Sequence, residues 1–107
     1  MNAYLWLILA IIAEVIATSA LKATVGFTRL LPSIITGLGY AFAFYALSQS
    51  IKTVPLGIAY AIWSGLGTAL VVIIAWIIYQ QPLNIRTICG ITFIIIGVII
   101  LQLSSPH

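Results

Sequence analysis

The chain has 107 residues, 64% of them hydrophobic and 5% charged, whereas a soluble domain carries roughly a quarter of charged residues. A soluble fold of this length could not hide so much apolar surface, so the expected solvent is lipid. The net charge of +3 comes from Lys and Arg residues scattered along the chain, which form no patch for nucleic acid and instead mark loops.

In chain order, the first apolar run predicts a span from Ala3 to Leu21, stopped by Lys22. It lacks the basic start of a signal peptide and carries a glutamate inside it, so it reads as a mature helix. A polar connection with Gly26, Thr28 and Arg29 follows. The second span opens at Pro32, where proline suits a first helical turn, and runs to Ser50. Lys52 and Thr53 separate it from the third, which covers about 56–79. Gln80, Gln81, Pro82 and Asn84 make the last connection, and the fourth span covers 85–103, ending in Ser104-Ser105-Pro106-His107. A crossing needs about 20 mainly apolar residues. The prediction is therefore an all-α integral membrane protein of four transmembrane helices, one domain over residues 1–107. Lys22, Arg29 and Arg86 fall on one side, against Lys52 and the terminal amine on the other. So weak a positive-inside bias permits insertion either way round. With no internal repeat to form a second half and little room for a chamber between bulky side chains, a second copy is expected.

The single acidic residue, Glu14, lies near the middle of the first span. A carboxylate there costs roughly 2.5–3.5 kcal/mol on insertion scales, and intramembrane acids face a cavity or a partner. No span offers Lys or Arg to pair with it, which argues against a structural ion pair. Stripped of hydration, the group is stabilised by taking either a proton or a cation, and one site with two exclusive occupants is the physical basis of antiport. Residues three, four and seven away share its face: Leu7, Ala10, Ile11, Ala17 and Thr18. Small residues there leave space beside the acid or serve helix packing, and Thr18 offers a hydroxyl. In the third span Tyr60, Trp63, Ser64 and Gly67 form one stripe. Tyr40 and Phe44 lie one turn apart in the second. Each ring alone reads as packing, but together with the acid they suit a flat lipophilic cation, since aromatic faces attract cations. Tyr4, Trp6, Trp76 and Tyr79 stand near span ends, where aromatic belts are expected.

Gly65 and Gly67 allow close approach or a bend in the third helix. Gly90 and Gly97, seven apart with Ile94 between them, read as a dimer seam. Cys89 lies in an apolar run and reads as a small packing residue; alone, it excludes an intrachain disulfide. His107 is terminal, no serine has a histidine or lysine partner nearby, and no nucleotide-type glycine loop occurs. No enzyme, metal or cofactor is expected.

These residues resemble the small multidrug resistance family over essentially the whole chain. The resemblance rests on Ala13-Glu14-Val15-Ile16, on Lys22 with Gly26-Phe27-Thr28-Arg29 and Pro32-Ser33, on the stretch from Gly57 through Tyr60 and Trp63 to Gly65, and on Gly90 and Gly97-Val98. It implies an antiparallel, dual-topology homodimer in a bacterial inner membrane. It implies exchange of protons for lipophilic aromatic or quaternary ammonium cations, driven by the proton gradient alone, with both copies of Glu14 in one chamber. By position, Tyr4, Ala10, Thr18, Tyr40, Phe44, Tyr60 and Trp63 match chamber residues of the family, Gly65 and Gly67 its third-helix bend, and Gly90 and Gly97 its dimerisation helix. Ala17 stands where the multidrug branch carries Gly, which would tighten the pocket beside Glu14. Ala43 replaces a common Ser. Both alanines favour the promiscuous branch over the guanidinium exporters, which carry a Trp near position 17. The alternatives are guanidinium export, or a non-transporting membrane subunit of a heterodimer.

Overall fold

The computed structural model describes residues 2–104, and Ser105, Pro106 and His107 at the expected end of the fourth span lie outside the described residues. Four helices make up the fold: α1 (Ala3–Ala23), α2 (Leu30–Ser50), α3 (Leu56–Ile78) and α4 (Ile85–Ser104). All four are long and apolar enough to cross a membrane, and no strand occurs among the described residues.

The helix ends follow local chemistry. Asn2 caps α1 by accepting the Tyr4 N–H at 2.7 Å, which satisfies one of the orphan donors of the first turn. Lys22 does not stop α1 but sits in its last turn, where a cation meets the negative end of the helix dipole. The stop comes at Thr24, which is buried and donates through its hydroxyl to the Leu21 carbonyl at 2.7 Å while accepting from the Phe27 N–H at 3.1 Å. Val25, Gly26 and Phe27 then take left-handed backbone, with φ of 48°, 69° and 64°. Glycine adopts this at no cost, whereas a β-branched valine is strained there. α2 starts before its proline: Pro32 is its third residue, still among the first four whose N–H groups have no partner within the helix. Asn84 caps α4, accepting the Thr87 N–H at 2.9 Å.

In lipid, helices associate through close packing and interhelical hydrogen bonds rather than a hydrophobic drive. The α1–α2 contact is built that way. A Cβ placed on Gly39 would lie 2.8 Å from the Ala17 Cβ and 3.2 Å from the Ala13 carbonyl oxygen. Thr36 adds a hydrogen bond to the Ala17 carbonyl at 3.3 Å. Ala10, Ala17, Ala43 and Ala46 are 0% exposed. Ala17 is thus a packing residue against α2, so its methyl does not narrow a pocket beside Glu14.

α1 is the central helix, with α2 on one side and α3 on the other, and α4 packs on α3. Gly65 serves that last contact, since a Cβ there would lie 2.9 Å from Val98 and 3.2 Å from Ile94 of α4. Ile94 therefore turns toward α3, while Gly90 and Gly97 have open space beside them. Cys89 is exposed as well, so it fills no core position within the chain. At the far end of α3, the Tyr79 hydroxyl donates to the Ser19 carbonyl at 2.6 Å, with the Lys22 ammonium 5.1 Å from its ring centre. Tyr79 ties α3 to α1 as well as standing near a span end. The whole measures 43 × 34 × 17 Å. With each helix about 10–12 Å across, that thickness is a shallow layer of helices and not a closed bundle.

Candidate functional site

The shallow layer leaves a chamber where little room was expected. A cavity of ≈ 340 Å³ opens between α1, α2 and α3, and Glu14 is the one charged side chain on its wall. α1 contributes Glu14 and Thr18, α2 contributes Tyr40, and α3 contributes Tyr60, Trp63 and Gly67.

Thr18, one turn after the acid, donates to Glu14 Oε1 at 2.7 Å, and its oxygen lies 2.6 Å from the Tyr40 hydroxyl. A threonine hydroxyl has one hydrogen to give. With that hydrogen on the carboxylate, Tyr40 must be the donor to Thr18, so the chain runs Tyr40 to Thr18 to Glu14. The other carboxylate oxygen, Oε2, is buried with no hydrogen-bond partner, and so is the Trp63 indole nitrogen. Such groups are costly away from water. Gly67 leaves the space Oε2 occupies: a Cβ on that glycine would lie 2.7 Å from it.

The rings are arrayed on one wall. Trp63 is 8% exposed and holds Tyr60 and Phe44 at centroid distances of 5.6 and 5.4 Å. Tyr60 and Phe44 are both 56% exposed, so each presents much of its ring outward. Phe44 reaches the site through Trp63 and does not itself line the cavity. Two further expected residues are also set back. Ala10 is fully buried in the core cluster, and Tyr4 packs against that cluster.

Ser64, Thr68, Val71 and Val72 complete the α3 wall. The last three were not among the expected site residues, though the signal was present: 60, 64, 67, 68 and 71 continue one helical stripe. The Ser64 hydroxyl donates to the Tyr60 carbonyl at 2.8 Å, and Thr68 donates to the Ser64 carbonyl at 2.7 Å. Both hydroxyl hydrogens are spent inside the helix, which leaves their oxygens as acceptors on a wall otherwise apolar and aromatic. Among the described residues no group of three or more His, Cys, Asp or Glu side chains gathers to hold a metal ion.

The family described as Small Multidrug Resistance protein matches residues 2–94. The chain belongs to that family. It is 48% identical over 105 residues to the quaternary ammonium compound-resistance protein QacE of Escherichia coli, covering 98% of this chain and 96% of that one. It is 50% identical over 105 residues, with the same two coverages of 98% and 96%, to the quaternary ammonium compound-resistance protein QacF of Klebsiella aerogenes. The multidrug transporter EmrE of Escherichia coli strain K12 is 44% identical over 110 residues, covering 100% of both chains. These relatives are named for resistance and transport, which supports the reading that this multi-pass membrane protein of the small multidrug resistance family is no enzyme.

Proposed function

We propose that the protein is a proton-coupled antiporter that exports lipophilic aromatic or quaternary ammonium cations, with Glu14 as the shared site for proton and cargo. One observation carries the reading: the only charged group on an aromatic-walled cavity has an oxygen with no partner. A cation entering beside Glu14 supplies the missing charge, and the faces of Trp63, Tyr60 and Tyr40 attract it further. A proton on the same carboxyl removes that attraction. The two occupants exclude each other, and the proton gradient alone drives the exchange, without a cofactor.

The functional unit in this proposal is an antiparallel, dual-topology homodimer in a bacterial inner membrane, each copy one four-helix domain with its Glu14 facing a common chamber. Support comes from the shallow shape of the single chain and from α4. In that helix both Gly90 and Gly97 have room for a neighbouring backbone. In such an assembly inward- and outward-open states are nearly equivalent, so differential affinity for proton and cation suffices to move between them.

Guanidinium export is the less favoured reading. Guanidinium carries many N–H donors and needs several acceptors arranged around it, whereas Glu14 is the one charged acceptor on a wall built chiefly of aromatic and aliphatic side chains. A spacer subunit of a heterodimer would have no use for an aromatic array beside an acid.

Vesicles containing the purified protein alone, given an imposed proton gradient, should accumulate tetraphenylphosphonium. Glu14→Ala should abolish the gradient-driven part, and a bulky aromatic cation should displace more protons than guanidinium does. Undiminished uptake in Glu14→Ala would remove the mechanism.

A further inference from the structure

We propose that Glu14 divides its work between its two oxygens, and that Gly67 is the positioning residue that keeps room for the exchanging one. This rests on the antiport reading and refines it. Oε1 is committed, because it accepts the only hydrogen of Thr18 at 2.7 Å, and Thr18 is itself held by Tyr40 at 2.6 Å. Oε2 is buried and has no partner at all. An acceptor in that state is relieved only by a hydrogen or a positive charge, so Oε2 is where the proton sits in one state and where the cation is felt in the other. When cargo binds, the O–H bond at Oε2 breaks, its proton passes to water, and the electron pair left on Oε2 faces the cation.

Gly67 enters through space. The nearest atom to a Cβ built on Gly67 is Oε2 at 2.7 Å, and the next is the Glu14 carboxyl carbon at 3.6 Å. Apart from its two chain neighbours and the backbone of α3 itself, nothing else comes within 4 Å. The obstacle to a side chain at this position is the carboxyl group alone. Gly65 differs: its Cβ would meet Val98 and Ile94 of α4 and no atom of Glu14. The two glycines of the expected bend therefore do separate things, Gly65 seating α4 and Gly67 seating the carboxylate.

This separates Gly67 the berth from Gly67 the flexible joint. In Gly67→Ala the far end of a flexible side chain must move, so the fold should hold and the carboxylate should swing away from its place. Glu14→Asp shortens the acid by one methylene and withdraws it from the contact. The test is a double-mutant cycle in purified protein, reading tetraphenylphosphonium affinity and the protons released on its addition. Gly67→Ala should weaken binding about tenfold when Glu14 is present, within the coupling seen between touching side chains. In the Glu14→Asp background the same change should cost much less. The infrared band of the carboxyl should also shift in Gly67→Ala. The control Gly65→Ala should show no such coupling to Glu14→Asp. Equal losses from Gly67→Ala in both backgrounds, with the carboxyl band unmoved, would overturn the proposal and leave Gly67 as a joint. Wild-type protein that releases no protons to the cation would overturn the antiport reading and this one with it.

Discussion

Two cavities of the same size, ≈ 340 Å³ each, lie on the two sides of α3. The one toward α4 is lined by Ile62, Leu66, Ile95, Val98, Ile99 and Leu103, with Gln102 as its one polar side chain. The one toward α1 holds Glu14, Thr18, Tyr40 and the Trp63 and Tyr60 rings. Volume does not distinguish them. Unmet polarity does, since an acceptor and a donor without partners, Glu14 Oε2 and Trp63 Nε1, both belong to residues of the second. In lipid the apolar cavity is satisfied by any hydrocarbon, whereas the polar one has a specific demand, for charge beside an acid.

The comparison breaks most sharply at Glu14. Replacing it by Ala should reduce gradient-driven cation uptake to the level of empty vesicles, while Ile99→Ala, on the wall of the apolar cavity, should change uptake less than about twofold, as expected of a substitution far from any charge demand. A comparable loss from both would mean that the two cavities work as one.

Thr18→Val should come next. It preserves shape but removes the hydrogen held by Glu14 Oε1. Hydrogen bonds to charged groups contribute about 1.5–3 kcal/mol, so cation affinity near neutral pH should fall about tenfold. Thr18 donates to the carboxylate that faces the cation, so its loss withdraws support from the cation-bound state. Equilibrium binding of tetraphenylphosphonium checks this, and unchanged affinity would contradict it.

Much of the site was legible because lipid makes polar residues conspicuous. A single acid among four apolar spans announces itself, and the Tyr60, Trp63 and Gly67 stripe follows from helical spacing. What spacing could not resolve is which neighbour each side of a helix meets. Ala17 and Thr18 both neighbour Glu14, yet consecutive residues point about 100° apart on a helix. Thr18 therefore reaches the carboxylate, while Ala17 packs on Gly39 of α2. Gly65 and Gly67 looked alike as helix-loosening glycines, and only the packing of α1 and α4 on opposite sides of α3 separates them. The helix boundaries drifted for local reasons: Lys22 suits a last turn, and Pro32 is tolerated anywhere in the first.

Smaller effects sharpen the same contrast between demand and mere packing. Gly39→Val would press into Ala17 and the Ala13 carbonyl, both nearly immovable, and should destabilise the fold by about 1–3 kcal/mol. Unfolding in mild detergent with added denaturant would show it. Val25→Gly should do the reverse, relieving a β-branched residue held at φ 48° and adding about 1 kcal/mol of stability with transport unchanged. A loss of stability in Val25→Gly would show that the turn after Thr24 draws support from the valine side chain.

The most direct measurement is infrared difference spectroscopy of the Glu14 carboxyl as tetraphenylphosphonium is added at fixed pH. The account predicts that the protonated-carboxyl signal disappears in proportion to cation bound, and that Glu14→Gln shows no such change. Tight cation binding with that signal left intact would contradict it.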